Sequence, residues 1–174
     1  PQAFEGSSSL THISIPSSVF EIDYSTFSEC SSLKEIVIPS FVIRIRAKAF
    51  YHCTSLQKIF VPSSVISIED STFDGCSSIT TVELTSSITR IGDYSFRDCK
   101  MLKDIEILSS VTEIGYYAFD GCESLIEITI LSSIISIKSR TFSRCSSLMS
   151  VTIPASVTTI GSRAFDECSS LKEV

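Results

Sequence analysis

The residues Phe27-Ser28-Glu29-Cys30-Ser31-Ser32-Leu33-Lys34-Glu35-Ile36-Val37-Ile38-Pro39-Ser40 decide the fold. They read as the end of a turn, a short strand and a proline that closes the strand. The same pattern returns every 23 residues, without one insertion or deletion, starting at Phe4, Phe27, Phe50, Phe73, Phe96, Phe119, Phe142 and Phe165. A fixed period of this length is the signature of a repeat architecture, in which each unit packs only against its neighbours. The sequence therefore predicts a solenoid.

Each unit predicts two short extended segments joined by turns. In Leu-x-x-Ile-x-Ile the last two apolar positions alternate, which indicates a strand. Strands of successive units must be parallel, because each is reached by one full coil. Ser-Ser then turns the chain, and Val-x-x-Ile is a second extended segment. The residues before Phe leave room only for a turn or a single helical turn. Thr85, Leu108 and Leu131 replace the proline, and we expect a looser turn in those three units.

The whole chain, residues 1–174, is interpreted as one array of about seven and a half units. Pro1-Gln2-Ala3 matches the residues that precede Phe in later units, and the last unit stops at Val174 just as its strand begins. Solenoids need a polar cap at each end, and neither end shows one. We therefore expect a fragment of a longer array, or an array whose flanking residues lie outside this sequence.

Composition argues against two classes of partner. The formal net charge is −6 with a pI near 4.9, and Lys and Arg are scattered rather than clustered. A nucleic-acid-binding domain usually carries a basic patch, so neither nucleic acid nor an anionic membrane surface is expected as a partner. No apolar run reaches the ~18 residues of a membrane-spanning helix, which predicts no membrane insertion of this segment.

Seven cysteines recur three residues after Phe, at Cys30, Cys53, Cys76, Cys99, Cys122, Cys145 and Cys168. Each is alone in its coil, whereas a metal site would need pairs that converge on one point. We expect them to be buried, reduced and packed beside Phe, although neighbouring coils could bring two of them within disulfide range. His12 and His52 occupy different coil positions, and no base and orienting group accompany a nucleophile. The sequence predicts no enzyme, no catalytic or metal-binding residues and no cofactor.

Leu33-Lys34-Glu35-Ile36-Val37-Ile38 matches the leucine-rich-repeat pattern L-x-x-L-x-L. The full unit, Ala-Phe-x-x-Cys-Ser-Ser-Leu-x-x-Ile-x-Ile-Pro-Ser-Ser-Val-x-x-Ile-Gly, resembles the BspA-like (Treponema pallidum type) leucine-rich repeats over all 174 residues. The resemblance implies a mainly β leucine-rich-repeat solenoid with parallel strands on its concave face. It also implies a bacterial or protist protein that lies on the cell surface or is secreted, and proteins of this kind are commonly tied to adhesion. The family has no shared active site, so the resemblance implies no catalytic residues. The usual asparagine ladder cannot form here, and the paired serines are expected to take over part of its role.

Candidate binding residues are the outward positions of the first strand, which the repeat leaves free to vary. Val37 and Phe60 form an exposed apolar pair about one strand spacing (~4.8 Å) apart. Glu83, Asp104, Glu106 and Glu127 form an acidic field that could steer a basic partner. An ordinary solvated sheet is the alternative interpretation, since two exposed apolar residues make only a small patch. The complete candidate set on the predicted concave face is Glu35, Val37, Lys58, Phe60, Glu83, Asp104, Glu106 and Glu127.

These observations predict a non-enzymatic protein-binding module, and the resemblance implies an adhesion segment of a surface protein. Two alternatives stay open. One is a structural spacer, in which the repeats only extend other domains. The other is an intracellular scaffold or effector module, which unpaired thiols favour because secreted proteins usually pair theirs. The oligomeric state does not follow from the sequence.

Overall fold

The structure, a computed structural model, describes residues 1–131 and 133–174. The chain winds into stacked coils of short strands and turns, and the described residues contain no helix. The predicted mainly β solenoid with parallel strands is confirmed. Ser132, one of the paired serines predicted to turn the chain, lies outside the described residues.

Two kinds of strand alternate along the chain. In order they are β1 (Glu21–Ile22), β2 (Arg44–Ile45), β3 (Lys58–Phe60), β4 (Ser67–Ile68), β5 (Thr81–Glu83), β6 (Arg90–Ile91), β7 (Glu113–Ile114), β8 (Glu127–Thr129), β9 (Ser136–Ile137), β10 (Ser150–Thr152) and β11 (Thr159–Ile160). The three-residue strands come from Leu-x-x-Ile-x-Ile and form the first strand row. The two-residue strands come from Val-x-x-Ile and form the second strand row.

Strands pair in parallel with the strand one coil away. In the first strand row β3 pairs with β5 and β8 with β10, so that Ile59 faces Val82 and Ile128 faces Val151. In the second strand row β1 pairs with β2 and β9 with β11, while β6 lies between β4 and β7 and pairs with both. Each pairing joins residues 23 apart, because the chain repeats without insertions.

The first strand row is less continuous than the sequence predicts. Residues 12–14, 35–37 and 104–106 carry the strand pattern but form no strand. Around 104–106 the acidic neighbours offer a physical reason, since like charges on adjacent strands oppose close pairing. Nothing in the structure explains the break at 35–37.

The turn at Phe joins the coils more completely than either strand row. At each junction the amides of Phe and of the residues two before and two after it donate to carbonyls of the next coil. Lys48, Phe50 and His52, for example, donate to residues 70, 72 and 74, at 3.1, 3.0 and 2.8 Å. The same three bonds recur at all seven junctions between Phe4 and Phe165. We call this ladder the turn row.

The turn row needs a left-handed backbone at two positions of every coil. These are the residues two before and two after Phe, with φ between 51° and 75°. Only Gly6, Gly75 and Gly121 are glycines; other coils place Lys48, Tyr94 or Arg144 there. A non-glycine residue in this region costs about 1 kcal/mol or more, and the inter-coil hydrogen bonds offset that cost.

The phenylalanines stack through the centre of the turn row. Successive rings lie 5.4–5.5 Å apart between centroids, with interplanar angles of 14° or less, from Phe4 to Phe165. Internal rings such as Phe73 and Phe96 are completely buried. Leu, Ile and Val of the two strand rows complete one continuous core.

The cysteine ladder is hydrogen-bonded as well as buried. Each thiol Sγ donates to the carbonyl oxygen of the Phe in the preceding coil, as Cys76 does to Phe50 at 3.1 Å. The seven distances lie between 3.0 and 3.3 Å. Cysteine thus links coils in the way an asparagine ladder would. Serines contribute too: Ser87 donates to Val65 and Ser133 to Val111 across one coil.

The expected loosening is wrong at the units of Thr85 and Leu108; the turn after Leu131 contains Ser132, which lies outside the described residues. In each of these turns an amide donates to the carbonyl oxygen of the residue three positions earlier, which occupies the proline position. The distance is 3.0 Å from Ile88 to Thr85 and 2.9 Å from Val111 to Leu108. The proline units have the same bond, at 3.0 Å for Val65 to Pro62. The bond uses the carbonyl of the first residue, which proline and its replacements share.

We expect amide hydrogen exchange to be slowest along the turn row. The amide of Phe73 donates to Ser95 at 2.8 Å, whereas the amide of Glu106 has no backbone acceptor among the described residues. Exchange reports the free energy of local opening. Mass spectrometry of exchanged peptides should therefore show residues 70–76 protected well beyond residues 103–107. Equal protection of the two segments would contradict the dominance of the turn row.

Replacing Phe73 with Ala should destabilise the array by about 3–5 kcal/mol, because it leaves a cavity between two stacked rings. Phe60→Ala is the matched control, since that ring is 53 % exposed and its loss should cost within about 0.5 kcal/mol. Denaturant unfolding followed by circular dichroism measures both. Similar losses for the two variants would show that the ring stack contributes little.

Candidate functional site

The eight predicted residues of the first strand row are all exposed. Lys58 and Phe60 lie on β3, Glu83 ends β5, and Glu127 begins β8. Glu35 and Val37 occupy the unpaired segment 35–37, and Asp104 and Glu106 the unpaired segment 104–106. The structure thus presents these side chains to solvent, half of them on paired strands and half on looser backbone.

Phe60 connects the two predicted patches. It faces Glu83 in the register of β3 and β5, and Lys58 faces Thr81. Its ring is 53 % exposed, and Val37, at the same position one coil earlier, is 79 % exposed. An aromatic ring beside a carboxylate combines a large apolar contact area with a charge, and aromatic residues are enriched at protein interfaces.

The acidic residues border a shallow cavity where the first strand row is interrupted. Asp104, Glu106 and Glu127 line it, and its volume is about 550 Å³. None of these three, nor Glu83, makes an ion pair with another described residue. We call Glu83, Asp104, Glu106 and Glu127 the acidic field. Its carboxylates are exposed and have no ion-pair partner among the described residues.

His12 has a carboxylate neighbour that sequence reasoning missed. Its Nε2 lies 3.7 Å from Oε1 of Glu35, and both side chains are largely exposed. The two residues occupy the same position in successive coils, so the 23-residue spacing was a sufficient signal. An exposed pair at this distance contributes little to stability.

A second exposed apolar row was also missed. Phe20, Ile43 and Ile66 precede β1, β2 and β4 and are 57–64 % exposed. They occupy the residue after Val in Val-x-x-Ile, a position read only as part of an extended segment. Thr89 and Thr112 occupy this position in the next two coils, and Ile135, 64 % exposed, occupies it in the coil after them. The row is therefore apolar over three coils and again at Ile135.

Two Arg–Asp clusters tie coils together beside the turn row. Arg97 binds Asp74 through two hydrogen bonds of 3.0 and 2.8 Å, and the Asp74 side chain is only 2 % exposed. Arg144 binds Asp120 in the same way and also reaches Asp98, two coils away, at 3.1 Å. Bidentate pairs of this kind are geometrically specific. They favour one alignment of successive coils.

The pKa shifts favour the neutral form of an aspartate in one cluster and the charged form of an arginine in the other. Burial raises the pKa of Asp74, and this effect exceeds the opposing influence of the Arg97 guanidinium. The hydrogen bonds that Arg144 donates to Asp120 raise the pKa of the guanidinium, which stays charged. Gly121 makes room for the second cluster, since a Cβ there would clash with Oδ1 of Asp98. These charges are occupied in structural contacts.

The cysteines are placed as packing groups. All seven are free, and all but the half-buried Cys168 are buried. Burial raises the pKa of the Cys76 and Cys99 thiols well above its usual range, which disfavours the reactive thiolate. Among the described residues no three His, Cys, Asp or Glu side chains converge to hold a metal ion.

Thiol titration should therefore separate native from unfolded protein. In denaturant we expect seven reactive thiols per chain. In the native state at about pH 8 we expect prompt reaction of at most one, Cys168, because the other thiols are buried and protonated. Fewer than seven thiols after denaturation would reveal disulfides, and rapid reaction of several native thiols would contradict the buried ladder.

No helix among the described residues is long and apolar enough to cross a membrane.

Comparison with known proteins points to one family. The family described as "BspA type Leucine rich repeat region (6 copies)" matches residues 1–125 and 66–174. No curated protein matches the chain.

Several solved structures share the fold. The Treponema pallidum leucine-rich-repeat protein is 29 % identical, with a TM-score of 0.85 over 94 % of this chain and 76 % of that one. A leucine-rich cell surface protein of Faecalibacterium prausnitzii is 28 % identical, with a TM-score of 0.71 over 98 % of this chain. A leucine-rich-repeat protein of Eubacterium ventriosum is 27 % identical, with a TM-score of 0.81 over 92 % of this chain. The chain spans 56 % and 43 % of the last two.

The family match extends from end to end, and the repeat that carries it also forms the stacked coils and the turn row. The chain therefore belongs to the BspA-type leucine-rich-repeat family.

Proposed function

We propose that the chain is a non-enzymatic protein-binding module that recognises its partner through the first strand row. The observation that carries this proposal is the juxtaposition of exposed Phe60 with the unpaired acidic field. Val37 and Phe60 supply the apolar anchor, and Glu83, Asp104, Glu106 and Glu127 supply the charge. Glu35 and Lys58 border the anchor. Leucine-rich-repeat proteins generally bind proteins, and the family has no shared active site.

The charge predicts the nature of the partner. Four carboxylates without ion-pair partners among the described residues attract a basic surface and repel an acidic one, which affects association rate and specificity more than affinity. An apolar anchor at the edge of such a field is where binding energy concentrates. The partner is therefore a protein with a basic surface and an apolar residue that packs on Phe60.

We further propose that the module acts at the cell surface as an adhesion segment. The support is the family, together with the F. prausnitzii structure, which is described as a cell surface protein. The seven free thiols favour a second candidate, an intracellular scaffold, because secreted proteins usually pair their cysteines. Fractionation of the producing cells, with detection of the chain by antibody, distinguishes a surface segment from a cytosolic one.

Affinity capture tests the binding face. The folded chain is immobilised and exposed to surface and matrix proteins of candidate contact cells, and Phe60→Ala and Glu106→Lys are compared with the unchanged chain. Loss of an anchor residue should weaken the main interaction by at least about tenfold. Glu106→Lys should slow association and reduce its dependence on salt.

Two matched variants control for general effects. Phe20→Ala removes an exposed ring from the second strand row, and Glu29→Lys reverses an exposed charge on the turn. Both should leave capture unchanged. Identical partners and affinities for all five proteins would rule out the first strand row and favour a structural spacer.

A further inference from the structure

The turn row carries a basic segment that no function described so far uses. Lys138, Arg140 and Arg163 project near the turns of the last coils, half-buried to exposed. Arg140 and Arg163 occupy the same left-handed position, two residues before Phe, in successive coils. We call these three residues the basic row.

Two of the three cations of the basic row lie over aromatic rings. Tyr117 and Tyr94, which occupy the position of Arg140 one and two coils earlier, stack with centroids 4.8 Å apart. The Arg140 guanidinium lies 5.7 Å from the Tyr117 ring centroid, and the Lys138 ammonium 5.8 Å from that of Tyr116. Cation–π contacts of this kind restrict a side chain without neutralising it. Less freedom is therefore lost when these cations bind a partner.

The cations of the basic row are electrostatically unsatisfied. Within the part of the chain that the structure describes, no carboxylate lies within ion-pair distance of any of the three. Arg144, on the same turn as Arg140, and Arg97, on an earlier turn, are each paired with aspartates. Asp166 and Glu167 lie on the other side of Phe165 in the chain and do not pair with Arg163.

The complement of the basic row lies on another side of the same molecule. Glu83 and Glu106 are one coil apart, as are Asp104 and Glu127, and so are Arg140 and Arg163. In both rows, charges at equivalent positions are therefore separated by one coil. Two rows with the same spacing can place more than one cation beside a carboxylate at once. Because the rows lie on different sides of each coil, they cannot meet within one molecule.

We propose that the basic row docks on the acidic field of a second copy of this chain. The contact is heterologous, so each copy keeps one free acidic field and one free basic row, and the chains associate side by side in an open series. The inference shares the acidic field with the proposed function, and a basic partner would compete with this self-association.

Two neutralising variants test the contact by analytical ultracentrifugation of the 174-residue chain. One carries Arg140→Gln and Arg163→Gln; Gln2 already occupies this left-handed position in the first coil. The other carries Glu83→Gln and Glu106→Gln. At low salt, about 50 mM, the unchanged chain should form oligomers that grow with concentration. Salt at about 500 mM should weaken them by about tenfold or more through screening.

The decisive result comes from mixing the variants. Each variant alone should remain monomeric, because one of its two surfaces has lost the two charges that are spaced one coil apart. Their mixture should form a one-to-one complex that grows no further, since only one intact basic row and one intact acidic field are present per pair. The variant carrying Arg140→Lys and Arg163→Lys keeps the charge and should still associate.

Other outcomes overturn the inference. A monomer at every salt and protein concentration would do so, as would association that survives both neutralisations, which would point to apolar contacts. Circular dichroism of every variant verifies the fold. Partner capture by the chain with Arg140→Gln and Arg163→Gln keeps the two proposals apart, because that variant retains the acidic field. Normal capture without self-association would remove only this inference.

Discussion

Three backbone hydrogen bonds at each turn hold successive coils together. They occur at every junction from Phe4 to Phe165, whereas the strand rows pair only in part. In a repeat protein each unit gains stability mainly from its neighbours, so the element shared by all junctions determines the stack. The strands can then vary, and even lose their pairing at 104–106, without separating the coils.

Phe and Cys together link each coil to the next. The Phe amide reaches forward to the next coil, and the Phe carbonyl accepts the thiol of the same next coil, as Cys99 donates to Phe73. A thiol is small and apolar enough for a fully buried site, yet it offers a weak donor. The ring fills the centre, while its backbone bonds fix the height at which the next ring stacks.

The repeat period made most of the architecture predictable. Fixed offsets identified Phe50, Cys53 and Leu56 as core residues, and all three are completely buried. The left-handed turn positions escaped notice because they carry Lys, Tyr or Arg, whereas glycine is the usual signal for positive φ. Their conformation is imposed by hydrogen bonds between coils, which one unit of sequence does not display.

The candidate site was predictable in position and less so in detail. Alternation placed Phe60 and Glu83 outside the core, and both are exposed. The interruption at Asp104 and Glu106 was not anticipated, since the local pattern there matches that of a paired strand. The Arg144–Asp98 contact spans two coils and depends on Gly121 between them, so it belongs to no single repeat unit.

Because the 23-residue period is invariant, surface features in different units are separated by a whole number of coils. Phe60 and Asp104 are separated by two coils, and Glu83 and Arg140 also lie in different coils. Removing one whole unit would rejoin equivalent backbone positions and leave the same three bonds at the new junction. The distance between two surface features would then shorten by one step while each feature kept its local shape. Reach along this molecule is therefore adjustable in discrete increments, independently of what each face recognises.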